Sequence, residues 1–193
     1  VKAALAEPRH NLPAALTGFV GREQEIATLR HLLAGRETRL LTIQGPGGAG
    51  KTRLAVEVAR ACEPGFLNGV WFVAPAGMSP GGAGALVQAV ADALGWPLAG
   101  RDDPGAQLLA HLSARELLLV LDSPEEWLDG VDWLCELLAQ APDVTVLATA
   151  RQRLDLQAER VFMLEGLPIP PSDHAATGAY AAVELFVRRA RRV

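Results

Sequence analysis

The stretch TIQGPGGAGKTRLAVEVA, residues 42–59, sets glycines ahead of a lysine and a threonine and then passes into an apolar-periodic run. Gly45-Pro-Gly-Gly-Ala-Gly-Lys-Thr52 fits the pattern G-x-x-x-x-G-K-[ST], and each position in it has a physical task. Glycines let the backbone take positive φ and come close to oxygen atoms, so that consecutive N–H groups can turn inward around an anion. A helix beginning at the loop adds the positive end of its dipole. Lys51 carries a flexible ammonium able to reach the outer phosphates of a nucleotide, and the Thr52 hydroxyl suits Mg²⁺. Gly45, Gly47, Gly48, Ala49, Gly50, Lys51, Thr52 and Arg53 form the candidate nucleotide-binding run. The bland alternative is a tight turn that happens to read this way.

A magnesium partner has to come from a second strand. In ELLLVLDS, Asp122 closes a run of five apolar residues, which makes it the candidate metal carboxylate beside Thr52, although taken alone it could be a turn residue. Fast hydrolases of this kind usually place a glutamate directly after that aspartate to polarise water, whereas here Ser123 follows. Glu125 and Glu126 come next and are the alternative bases for a working ATPase. Ser123-Pro124-Glu125-Glu126 also reads as a helix start, with serine as N-cap, proline at N1 and glutamate at N3 reaching back, which accounts for both acids without catalysis. The run VTVLATAR ends on Thr149-Ala150-Arg151, putting Thr149 or Arg151 beside the phosphates if its strand lies between the other two. By itself Arg151 reads as a surface arginine.

These residues need elements to hold them. Apolar runs at 40–43, 70–73, 117–121, 144–148 and 161–164 predict strands buried on both faces. Helical periodicity predicts a helix from Glu23 through Ile26, Leu29, Leu32 and Leu33, and others over 51–62, 83–95, 104–114 and 124–140, with a weaker one at 152–158. The helix over 124–140 buries Trp127, Val131, Leu134 and Leu138, with Trp133 off the stripe. This alternation predicts an α/β fold with a parallel sheet covered on both sides. Residues 1–16 read as a linker from a preceding domain, 17–170 as the nucleotide-binding domain, and 171–193 as a connector and the first helix of a truncated helical domain. That last helix carries an apolar stripe of Ala179, Val183, Phe186, Val187 and Ala190. Residues 75–84 read as a flexible loop, since Gly81, Gly82 and Gly84 have no lysine after them.

Composition removes several classes. A net charge of -4 argues against a dedicated nucleic-acid surface, and of 18 basic residues only Lys2 and Lys51 are lysine, which singles out the loop. The absence of a long apolar run argues against a membrane span, and the expected location is cytoplasmic. Cys62 and Cys135, far apart and without metal spacing, read as two buried structural thiols, and the four histidines are too scattered for a zinc site.

Taken together, NLPAALTGFVGREQEI, LLTIQGPGGAGKTRLAVEVA, GVWFV, LLLVLDS, VTVLATAR and AVELFVRRA, in this order and at these spacings, resemble the signal-transduction ATPases with numerous domains (STAND). The likeness is to the NB-ARC-like (AP-ATPase) P-loop domain of bacterial transcriptional regulators of the LuxR and antibiotic-regulatory (SARP) types, and it covers nearly the whole chain. It implies a three-layer, AAA+/ASCE-like P-loop NTPase with a five-stranded parallel sheet, the Asp122 strand being separated from the glycine-loop strand by the one ending at Arg151. It also implies ATP or ADP with Mg²⁺, an adenine-proximal motif at Val20, Gly21 and Arg22 (from the residues alone, equally a turn before a helix), and a phosphate-sensing Arg151. The partners implied are helical, winged-helix and effector domains of the same parent chain, with ATP-dependent self-association of the full-length protein. Ser123 departs from the family's Asp or Asn, and neither a GLPLAL-like segment nor a winged helix follows. The expected function is an ATP/ADP-binding regulatory switch with slow or no hydrolysis, at most a slow ATPase. The alternatives are a working ATPase using Glu125 or Glu126 and a scaffold whose Arg-rich end binds nucleic acid. No LSGGQ-like or NKxD sequence supports a transporter ATPase or a GTPase.

Overall fold

The computed structural model describes residues 9–14, 18–35, 37–74, 84–98, 103–124, 130–169 and 180–190. Along these the chain runs α1 (Glu23–Ala34), β1 (Leu40–Gln44), α2 (Lys51–Cys62), a 3₁₀ turn (Glu63–Gly65), β2 (Val70–Val73), α3 (Ala85–Leu94), α4 (Pro104–Leu112), β3 (Leu117–Asp122), α5 (Val131–Gln140), β4 (Val144–Ala150), β5 (Glu159–Met163) and α6 (Ala181–Ala190). The strands form one parallel sheet in the order β2-β3-β4-β1-β5, so β4 does separate β3 from β1. Among the described residues no helix is long and apolar enough to cross a membrane.

Strand alternation divides the interior into two layers. Leu41, Ile43, Leu118, Val120 and Leu147 face α1 and α2, while Leu40, Leu117, Leu119, Leu121, Val146 and Ala148 face α3, α4 and α5. The leucines of β3 are fully buried, each contributing about 1.5–3 kcal/mol of transfer free energy. The core is therefore thickest under the strand that carries Asp122.

Several expectations change. β5 is buried on one face only: Phe162 packs toward α1 and α2, but Val161 and Met163 are exposed because β5 lies at the sheet edge beyond the helices of the other layer. No helix forms over 152–158. There the Glu159 carboxylate accepts the amides of Leu154 (2.9 Å) and Asp155 (3.0 Å), and Asp155 turns to φ 58°, so the amides are claimed by a side chain rather than a helical ladder. Of the helix expected over 124–140, Val131–Gln140 is helical as α5 and Pro124 is in a 3₁₀ turn, while 125–129 lie outside the described residues; Ser123 takes φ 51°, unlike the extended backbone of an N-cap. Trp127 lies outside the described residues, whereas Trp133 is buried and its indole N–H donates to Gly105 O at 3.3 Å. The apolar arc of α5 is wider than one stripe because the helix packs on α4 as well as on the sheet. Cys62 is half-buried but Cys135 is exposed, and both are free thiols. On α6 Phe186 is 73% exposed, while Ala181, Ala182 and Leu185 are half-buried. Small residues dock there because Ala181 comes within 2.8 Å of where a Cβ on Gly21 would stand.

Residues 9–12 lie along the outer edge of β2. Val70 N–H donates to Arg9 O at 2.8 Å, and the Asn11 carboxamide both accepts from Phe72 N–H (2.5 Å) and donates to Phe72 O (2.8 Å). A side chain thus supplies the bonds of a missing strand neighbour. Leu12 is buried beneath it.

Candidate nucleotide site

The glycine loop leaves the carboxyl end of β1, an interior strand between β4 and β5. Gly45 N–H donates to Ala150 O at 3.2 Å, and a Cβ on Gly45 would stand 2.6 Å from Leu164 O, so only glycine passes between β4 and the end of β5. Gly48 (φ 77°) and Gly50 (φ 90°) take left-handed backbone, and beside Gly47, Gly48 and Gly50 no atom lies within 4 Å of a Cβ position. That is the open, amide-rich cradle that phosphate oxygens require. α2 then starts with neither a side-chain cap nor an acid in its first turn, while Leu54, Ala55, Val58 and Ala59 anchor it in the core. Its leading amides and dipole are left for an anion.

Lys51 Nζ donates to Gly45 O (2.9 Å) and Pro46 O (3.0 Å), and among the described residues no carboxylate pairs with it. Thr52 Oγ1 donates to Asp122 Oδ1 at 2.6 Å, which brings the two candidate metal ligands together across 70 residues of chain. A hydroxyl and a carboxylate are hard oxygen donors that fit Mg²⁺, which normally completes its shell with phosphates and water. Among the described residues no cluster of three or more His, Cys, Asp or Glu side chains could hold a metal.

Val20, Gly21 and Arg22 border the same place. Val20 is buried, and Gly21 (φ 69°) and Arg22 (φ 72°) make consecutive left-handed turns before α1. The Arg22 guanidinium donates to Glu25 Oε1 and to Glu165 O, both at 2.6 Å. Arg53 donates to Gly18 O at 2.8 Å and stands over the Phe19 ring. Gly18, Phe19, Val20, Arg22 and Arg53, with 48–50, Leu167, Ala182 and Leu185, line a cavity of about 320 Å³, and Gly21 lies outside that lining. The lining from residues 18–19, Leu167 and α6 was not singled out from the sequence, because it forms only when α6 docks on Gly21.

Arg151 follows β4 directly and is exposed, its backbone one residue beyond the carbonyl that holds Gly45. Glu125 and Glu126 lie outside the described residues. Thr149 is brought to Asp122, its hydroxyl donating to Oδ1. The sequence named Thr149 from the ending of its strand, but not its bond to Asp122.

A parallel sheet of order β2-β3-β4-β1-β5 with a glycine loop leading from the interior strand β1 into a helix is the fold of a P-loop NTPase. The sequence model of the AAA ATPase domain matches residues 18–192, and the chain belongs to that family. A candidate HTH-type transcriptional regulator of Mycobacterium tuberculosis is 36% identical over 170 residues, 86% of this chain and 17% of the relative. An uncharacterized protein of the same organism is 32% identical over 190 residues, covering 96% and 44%. The chain thus spans less than half the length of these relatives. Among solved structures, a STAND protein with a tetratricopeptide repeat sensor from Pyrococcus horikoshii superposes with a TM-score of 0.51 at 18% identity, over 81% of this chain and 24% of that one. Cdc6p from Pyrobaculum aerophilum gives 0.54 at 19% identity, over 81% and 48%. Both are similar in fold.

Proposed function

We propose that this domain is an ATP/ADP-binding regulatory module of the STAND, NB-ARC-like type, with slow or no hydrolysis, acting as a switch within a longer transcriptional or signalling regulator. The observation that carries this reading is the Thr52–Asp122 hydrogen bond beside the open glycine cradle. In it, amides of residues 45–52 and the Lys51 ammonium bind the phosphates, Thr52 and Asp122 hold magnesium, and the cavity walled by Val20, Arg22 and α6 takes the base. Magnesium, when bound, neutralises the phosphate charge. Arg151, the residue after β4, is the arginine that in this reading reports the phosphate state. Slow turnover follows from Ser123, whose hydroxyl is too weak a base at neutral pH to activate water as a carboxylate would. The role of switch rests on the relatives named as transcriptional regulators, and DNA contact is assigned to another part of the parent chain.

Thermal unfolding with ATP, ADP or GTP plus Mg²⁺ tests the proposal. At 100 times its dissociation constant, a bound adenine nucleotide stabilises the fold by about 2.7 kcal/mol, or about 5–10 °C at this size. Lys51→Ala removes the shift, and phosphate release stays near background. The reading fails if the wild type shows no shift with any of the three at millimolar concentration.

A further inference from the structure

Parallel register sets Thr149 of β4 directly opposite Asp122 of β3. Its side chain is 1% exposed, and its hydroxyl is committed on both sides. Ser123 N–H approaches Thr149 Oγ1 at 3.3 Å, while the Thr149 hydroxyl donates to Asp122 Oδ1. With a lone pair of that oxygen facing the amide, its single proton is directed at the carboxylate. The parallel ladder continues one residue further, Ser123 N–H donating to Thr149 O at 2.9 Å, and the chain then leaves the strand at Ser123 with φ 51°. β-Branching stiffens the threonine rotamer further.

Thr52 approaches the same Oδ1 from α2, so hydroxyls from two separate elements fix one oxygen of Asp122, and neither uses Oδ2. The two are not equivalent. Thr52 is itself a candidate ligand of the cation, whereas Thr149 is buried behind the carboxylate and can only orient it.

We propose that Thr149 is a positioning residue for the divalent cation: it holds the Asp122 carboxylate in place so that magnesium arriving with the nucleotide meets a preset acceptor. This rests on the nucleotide-binding reading above, because Thr52 and Asp122 need phosphates to complete the metal's shell. Side chains that orient a metal ligand in this way are worth about 10–100-fold in metal affinity.

The test titrates the protein with ADP in EDTA and with Mg²⁺ into its ADP complex, for wild type, Thr149→Val and Thr149→Ser. Valine keeps the shape and strands no amide, since Ser123 N–H retains Thr149 O. Thr149→Val should hold ADP in EDTA within about twofold of wild type yet need about 10–100-fold more magnesium for half-saturation, and Thr149→Ser should recover most of that loss. If the valine variant melts early, Thr149→Ala carries the same comparison. A wild-type magnesium requirement in the variant overturns the proposal. So does an equal loss of affinity with and without metal, which is the mark of a merely structural role. Failure of the wild type to bind ADP at all overturns the nucleotide reading itself, and the positioning role with it.

Discussion

Two hollows lie at opposite ends of the sheet, and the larger one is the less equipped. The hollow at the amino ends of the strands holds about 860 Å³ between α1, the end of α2 and the starts of β3 and β4, against about 320 Å³ at the glycine loop. Its Arg39 and its Cys62 thiol are already engaged. The Arg39 guanidinium donates to Val144 O (3.0 Å) and Ala141 O (2.5 Å), and burial lowers its pKa, with Asp143 opposing. Burial also pushes the Cys62 thiol up, only partly offset by Arg30, which makes it a poor nucleophile. At the glycine loop the reverse holds: α2 begins without a side-chain cap, and Lys51 rests on neutral carbonyls. Unmet hydrogen-bonding capacity marks a site better than volume does.

That contrast can be broken by experiment. Arg39→Met should have the largest effect on the free protein, a loss of about 2–3 kcal/mol from two charge-assisted bonds, while the stabilisation given by MgADP stays at its wild-type value. A vanished nucleotide shift in folded Arg39→Met would mean that the amino-end hollow is not purely structural. Gly48→Ala should cost only about 1 kcal/mol, for a side chain in left-handed backbone, yet weaken ADP tenfold or more by narrowing the cradle, about 1.4 kcal/mol in binding. Unchanged ADP affinity there would remove the smaller hollow from consideration. The smallest effect is a control remote from both. His111 stacks on Trp96 with ring centroids 3.5 Å apart, and burial, then Arg115, holds its pKa below the usual histidine value. A depressed value means that the unfolded chain takes the proton first, so this contribution is present above about pH 6.5 and is lost as the pH falls below it. Urea midpoints at about pH 7.5 and about pH 5.5 should therefore converge in His111→Phe relative to wild type, with nucleotide affinity untouched.

The strands were legible because each is an apolar run, and the loop because its glycines, lysine and threonine have few other uses in that order. The strand order was legible only through the family resemblance. What could not be read depends on neighbours distant in sequence. Met163 belongs to a convincing strand, but whether a helix covers it is decided by the width of the layer above. Trp133 falls off the stripe of its own helix and is buried by Gly105 of another. Glu159 suppresses a helix by binding amides that precede it. The pairing of Thr149 with Asp122 needed a register that periodicity does not supply.

The clasp of Asn11 on β2 has a practical consequence for where this folding unit starts. The matched family segment opens at residue 18, yet the bonds that complete the β2 edge come from residues 9–11, and Leu12 sits in the interior. Trimming to the family boundary would bare an edge strand and invite intermolecular pairing. The smallest well-behaved version of the domain therefore begins upstream of the matched family segment.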